Sequence, residues 1–485
     1  MLDEQCNQIP PGPQRIRGIA GSGKTRLLCQ KAAWMHKEHP DWDIAYVFFT
    51  QALYDEIHEN LKRTMAGLGI SWNEKKLQIL HAWGSWQREG LYRIICTKHR
   101  YKAKNINDTK YLYGEGLADL AKKLLTDLPI TPLFDAILID EGQDLVFLNP
   151  DLLYQNKQAI YWMAYSALRT PDAKKPELRR LIWAYDEYQN INSHAIPSGK
   201  AIFGEQKPFK NLLMGWYEGN IPKNIIMKRC YRTPGPILIA AHAICMGMFC
   251  PTGMIAGPTS KAEWENLGYE VKGSFQSGKD ITLTRPSENS KNPITHYATY
   301  PLIAFEPATF EAEEFCILAD KIHNLIFTER INPYKRILVL YLCERSRGER
   351  IGQYLNMKGI DYYYAGNPDR NIPPVDNFKL RKPRIFWQKN CVTIAHMNQA
   401  KGNEADFVFV VGLDAIAEKD QEINERNSLF TAMTRTKGFL HMSGLGDYPL
   451  YAEIMAVLLA IGNQPDTVSF TYQGTPKTPI NVEEK

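Results

Sequence analysis

The chain has 485 residues, 44% of them hydrophobic and 23% charged, with a formal net charge of +5. This composition excludes a disordered chain and leaves room for two to four cores. No stretch approaches the roughly 18 apolar residues of a membrane-spanning helix. The opening residues MLDEQCNQIPPGPQ have neither the basic flank nor the apolar run of a secretory signal, so a soluble cytoplasmic protein with no membrane attachment is expected. The mild basicity is compatible with a polyanionic partner without establishing one. Nine cysteines are scattered, none in a C-x-x-C pair or at zinc-ligand spacing with histidines, so reduced core cysteines and no structural metal are expected.

In chain order, the first informative stretch is RGIAGSGKTRL, residues 17–27, which fits G-x-x-x-x-G-K-[ST] through Gly18, Gly23, Lys24 and Thr25. Glycines in such a loop let successive backbone N–H groups turn toward a phosphate, the lysine neutralises β and γ oxygens, and the threonine offers its hydroxyl to Mg2+. Gly18, Ala20, Gly21, Ser22, Gly23, Lys24, Thr25 and Arg26 are therefore candidate ATP contacts. RIRGIA supplies a strand end ahead of the loop, and KTRLLCQKAAWMHKEH places Leu27, Leu28, Lys31, Ala32 and Met35 at helical spacing. PDWDIAYVFFT then reads as a buried parallel strand, which completes a βαβ unit.

FDAILIDEGQDL, residues 134–145, is an apolar strand ending in Asp140 and Glu141. Beside a phosphate loop, one such carboxylate joins the Mg2+ shell and the other polarises the attacking water. RRLIWAYDEYQNI repeats the design and ends at Asp186, Glu187 and Gln189; a glutamine can sense a γ-phosphate because it both donates and accepts without adding charge. Farther on, residues 243–309 alternate apolar and polar side chains and read as a β-rich elaboration. ATFEAEEFCILADKIHNLI predicts a helix with Phe315, Ile317, Leu318, Ile322 and Ile326 on its apolar face. YKRILVLYLCERSRGERIGQYLNMKGIDYYYAG repeats strand, helix and strand. Basic runs at Arg345 to Arg350 and Arg381 to Arg384 are compatible with backbone phosphate as well as with solvated faces.

With these stretches in order, the chain resembles the superfamily 1 helicases of the UvrD/Rep type from about Leu2 to about Gly444. LDEQCNQI looks like the glutamine motif, with Gln5 reading adenine. VFFTQALYDEI and ILHAWGSW resemble the single-strand-contacting motifs through Phe49, Thr50 and His81. DEGQD carries Asp140, Glu141 and Gln143, and YDEYQ matches D-x-x-Q through Asp186 and Gln189. KRCYRTPGPI resembles the motif whose tyrosine stacks on adenine and whose arginine reaches the γ-phosphate, here Tyr231 and Arg232. TIAHMNQAKGNEADFVFVVGL is similar to T-x-H-x-x-K-G-x-E through Thr393, Lys401, Gly402 and Glu404, with two extra residues before Lys401. LFTAMTRTKGFLHMSG looks like the last motif, with its arginine at Arg435.

The resemblance implies an α/β fold of two recA-like parallel-sheet domains with an ATP cleft between them. A first domain is expected over 1–222 with a small helical insertion at about 87–133, and a second over 223–470 with its elaboration at about 243–309, followed by a flexible tail over 471–485. It further implies ATP and Mg2+ as cofactors and Lys24, Asp140, Glu141, Gln189, Arg232 and Arg435 as the catalytic set. Thr25 and Asp140 hold the metal, and Gln5, Tyr231 and Glu404 join the phosphate loop around the nucleotide. Phe49, Thr50, His81, His194 and Thr393 are the candidate nucleic-acid contacts, with Trp83 and Trp86 beside them. His194 stands where relatives carry stacking aromatics, and the large second-half insertion of bigger relatives is replaced by a polar, proline-rich loop. The implied activity is ATP-driven 3′ to 5′ translocation on single-stranded or partly duplex DNA. The alternative is an ATP-gated DNA-sensing subunit of a repair or phage-defence complex with a separate nuclease partner.

Overall fold

In the computed structural model, the described residues are 7–50, 53–84, 89–186, 196–296, 301–365, 385–474 and 478–479. The strand ahead of the phosphate loop is β1 (Gln14–Gly18), and the helix after it is α1 (Lys24–Glu38). The apolar run that follows forms β2 (Ile44–Phe48), buried at all five positions, then α2 (Tyr54–Gly67) and β3 (Leu77–His81). The stretch expected as a helical insertion holds α3 (Leu91–Lys98) and α4 (Tyr113–Asp127). Next come β4 (Ala136–Ile139), α5 (Ala159–Ser166), β5 (Arg180–Tyr185) and β6 (Asn224–Met227).

These strands form one parallel sheet in the order β6-β1-β5-β4-β2-β3. Helices cover both faces, which is why its inner strands β2 and β4 read as continuous apolar runs. On one face Leu27, Leu28 and Ala32 of α1 and Ile57 and Leu61 of α2 pack on Tyr46, Phe48, Leu138 and Ile182. On the other, side chains of α3, α4 and α5 pack on Val47, Ile139, Leu181 and Trp183. Because β6 pairs with β1, this unit reaches Met227, past the boundary expected at 222. The division of the chain groups loop residues Ala20–Ser22 with the second unit, which otherwise begins at Lys228.

The second unit opens with α6 (Gly235–Met246), buried along its whole length, and an antiparallel hairpin of β7 (Glu270–Gly273) and β8 (Lys279–Thr284). It continues through β9 (Ile303–Ala308), α7 (Glu311–His323), β10 (Ile337–Tyr341), α8 (Arg345–Met357) and β11 (Tyr362–Tyr364). After these come β12 (Val392–His396), β13 (Ala405–Val411), α9 (Ile423–Met433), β14 (Thr436–Leu445), α10 (Pro449–Asn463) and β15 (Thr467–Tyr472). A second six-stranded parallel sheet runs β9-β14-β13-β10-β12-β11.

Two further boundaries differ from the sequence reading. Of the stretch at 243–309, only β7 and β8 build the separate antiparallel sheet; its first residues complete α6, and β9 joins the parallel sheet as an edge strand. The tail expected from 471 begins inside β15, whose Val468, Phe470 and Tyr472 alternate inward and pair it with β8. Alternating patterns mark a half-buried strand without naming the sheet it joins.

Candidate active site

In the first unit the carboxyl ends of β1, β5, β4 and β2 lie side by side, as in open parallel sheets that bind ligands at this edge. Gly23, in the left-handed region at φ 90°, opens α1; no side chain caps the helix and no acidic residue sits in its first turn. An uncapped helix start carrying Lys24, Thr25 and Arg26 favours an anion. The Lys24 ammonium is almost fully buried, donates to the carbonyls of Gly18 (2.9 Å) and Ile19 (3.2 Å), and lies 3.5 Å from Asp186 Oδ2. Ser22 Oγ is buried with no hydrogen-bond partner, and Arg26 is exposed.

Asp140 is completely buried. Its Oδ2 accepts from the Tyr46 hydroxyl at 2.9 Å, and its Oδ1 accepts from Glu141 N–H at 3.0 Å. Burial, then the neighbouring Glu141 charge, pushes the Asp140 carboxyl upward, opposed by Thr25, Tyr46 and Lys24. A buried carboxylate that resists ionisation in this way suits a hard divalent cation, with Thr25 and Asp140 as its oxygen donors. With the orphaned Ser22 hydroxyl and the uncapped helix start, these residues fit Mg2+ and a phosphate chain.

Glu141 sits in the left-handed region at φ 49° at the head of a short turn. Close packing fixes that turn: Tyr161 Oη donates to Gly142 O at 2.8 Å, and a Cβ on Gly142 would collide with the same hydroxyl. Gln143 donates its side-chain amide to Glu141 Oε2 and accepts from Asp186 N–H at 3.2 Å, so the ends of β4 and β5 are tied through one side chain. Gln189, Glu187 and His194 lie outside the described residues, as do Gln5 and Trp86.

The single-strand candidates are woven into the same edge. Thr50 Oγ1 donates to Asp144 Oδ2 at 3.3 Å. His81 Nδ1 accepts from the N–H groups of Trp83 and Gly84, both at 3.1 Å, so the proton resides on Nε2, which donates to Phe49 O at 2.6 Å. His81 thus clamps the Phe49 and Trp83 loops together. Thr393 requires a correction: it is completely buried within β12, so a nucleic-acid phosphate does not reach its hydroxyl in this fold. Among the described residues, the strand instead presents His396 at its carboxyl end.

In the second unit the structure brings Arg232 and Arg435 into one stitched region. Thr233 Oγ1 donates to Thr434 O at 3.3 Å, and Asn292 Nδ2 donates to both Arg232 O and Lys437 O. Arg435 is buried and donates through Nε to Thr431 O at 3.0 Å. Arg232 NH1 lies 3.4 Å from Glu404 Oε2, and its Nε is buried without a hydrogen-bond partner. Tyr231 is 42% exposed. Asn292 and Thr233 escaped the sequence reading, since an isolated asparagine in SKNPITH signals only a turn.

The basic run on α8 is spent internally. Arg347 bonds the fully buried Glu314 (2.6 Å) and Asp414, Arg350 grips Glu311 through two nitrogens (2.6 and 2.7 Å), and Arg345 pairs with Glu349 (2.9 Å). The Arg381 to Arg384 run lies outside the described residues.

Both units are α/β layers of the recA-like class, each built on a six-stranded parallel sheet. Residues 392–442, spanning β12 through most of β14, match the UvrD-like helicase C-terminal domain family, which supports the UvrD type that the motifs resemble. A solved C-terminal domain of a possible DNA helicase from Lactobacillus plantarum WCFS1 is similar at 19% identity over 35% of this chain and 89% of that one, with a TM-score of 0.22. No curated protein matches the chain.

Proposed function

We propose that the chain hydrolyses ATP at the site around Lys24, Thr25, Asp140 and Glu141 and uses the turnover to move 3′ to 5′ along single-stranded DNA in the cytoplasm. The observation that carries this reading is the convergence, at one sheet edge, of an uncapped helix start, a buried lysine and a buried carboxylate at the end of β4. Lys24 exchanges its loop carbonyls and Asp186 for phosphate oxygens. Mg2+, when bound, supplies charge neutralisation at the β and γ oxygens. Thr25 and Asp140 would hold the metal through their side-chain oxygens, and Glu141, oriented by Gln143, accepts the proton of the attacking water.

Arg232 and Arg435 stabilise charge developing at the γ-phosphate, the role the motifs assign them. Thr50 and His81 connect the ends of β2 and β3 to the same edge, which suits coupling between DNA and turnover. The domain limits follow the two units, and a protein partner such as a nuclease belongs to the same proposal. The test is steady-state ATPase activity with and without single-stranded DNA, paired with displacement of a protein block from that strand. DNA-stimulated turnover with displacement supports translocation; stimulated turnover without displacement favours the sensing role, and equal rates with and without DNA refute the coupling.

A further inference from the structure

Tyr46 stands mid-strand in β2 on the face packed by α1, with Ile44 and Phe48 as its same-face neighbours. All three are buried in one apolar cluster, and of the three only Tyr46 carries a polar atom. A phenylalanine would fill that volume, so packing leaves the hydroxyl unexplained. The hydroxyl donates to Asp140 Oδ2, the oxygen opposite the one held by Glu141 N–H. Asp140 is thus gripped from β2 and from its own turn.

We infer that Tyr46 is a positioning residue for the metal-holding carboxylate: its hydroxyl fixes the plane of Asp140 about the Cβ–Cγ bond, so that its free lone pairs are aimed before a cation arrives. The inference rests on the ATPase reading of this site. Partners that orient a metal ligand from behind are typically worth about 10–100-fold in metal affinity.

The test uses the full chain, with Mn2+ as the probe metal and a non-hydrolysable ATP analogue at saturation, free Mn2+ being counted by electron paramagnetic resonance. Tyr46→Phe is expected to weaken Mn2+ retention by about 10–100-fold while leaving analogue affinity in EDTA unchanged, a split that a purely structural role does not produce. In an Asp140→Asn background the same substitution is expected to change nothing further. If Tyr46→Phe loses its cooperative melt, Tyr46→Met, which fills the site without a hydroxyl, decides in its place. Mn2+ retention within about twofold of the parent, well below the range for such partners, overturns the inference. A parent that binds neither analogue nor Mn2+ overturns the ATPase reading itself, whereas a parent that binds both beside an unaltered Tyr46→Phe overturns this inference alone.

Discussion

Gln143 holds the Glu141 carboxylate by its side-chain amide while accepting the backbone N–H of Asp186. A base fixed in this way should be removable without disturbing phosphate binding. Glu141→Gln is expected to keep nucleotide affinity and lose about 10²–10⁴-fold in turnover, and Gln143→Leu should lower turnover less, through misorientation. Rates measured on single-stranded DNA decide it; near-native turnover of Glu141→Gln would remove Glu141 from the role of base.

The Lys24 ammonium donates to the carbonyls of Gly18 and Ile19 and lies beside the Asp186 carboxylate. Lys24→Ala should abolish the rise in melting temperature that ATP with Mg2+ gives the parent, because a ligand stabilises only the state that binds it. A nucleotide-induced shift equal to that of the parent would contradict the site.

Arg435 lies in the two-residue link between α9 and β14, a short distance along the chain from the Asn292 clamp on Lys437. An arginine at developing phosphoryl charge is worth roughly a thousandfold or more in rate, so Arg435→Ala should cut turnover on that scale while retaining DNA binding. Circular dichroism controls for folding, since the side chain is buried. Turnover within about tenfold of the parent would be too small for that role.

The α8 arginines predict a contrast in stability. Glu314 is fully buried and holds Arg347, Gly412 N–H and the Ser443 hydroxyl, so Glu314→Ala should destabilise the second unit by about 3–5 kcal/mol. Arg350→Ala removes a half-exposed pair and should cost no more than about 1 kcal/mol. Chemical denaturation measures both. Because the run is internally paired, Arg345→Ala and Arg350→Ala should leave the salt dependence of DNA binding unchanged, and a shallower slope would reinstate these residues as phosphate contacts.

Acid should weaken the second unit through two buried histidines. Burial, then the Arg285 charge, lowers His242 to about 3, and burial, then Lys321, lowers His441 to about 4 against the opposing pull of Glu306. Both folded values lie below the ordinary 6.5, so the unfolded chain binds more protons between them. Their contribution is complete above pH 6.5 and is lost as pH falls toward 4 and then 3. Melting temperature followed from pH 7 to pH 4 should fall, and His441→Gln should flatten the lower part of that curve; an unchanged slope would exclude His441 as a contributor.

The strand–loop–helix at Gln14–Glu38, the strands ending at Asp140 and Asp186, and the helix face of Leu27, Leu28, Lys31, Ala32 and Met35 were all legible in the sequence. Their signals are local: glycine and lysine at fixed spacing, apolar runs of strand length, and a helical period. Even Lys31 obeyed its period, burying its stem and donating to Gln8 O at 2.8 Å. Local patterns do not specify which strand lies beside which, and that is where the sequence reading stopped. Tyr46 and Asp140 are 94 positions apart and meet only because β2 and β4 are adjacent in register. Arg345 to Arg350 is a basic run in the sequence, but α7 and the Asp414 turn bring the acids that neutralise it. Thr393 fits its motif, yet the parallel pairing of β12 with β10 and β11 seals its side chain away from solvent. A side chain's own chemistry is written in the sequence. Its partners and its exposure follow from strand order and packing, which bring together residues that no local pattern connects.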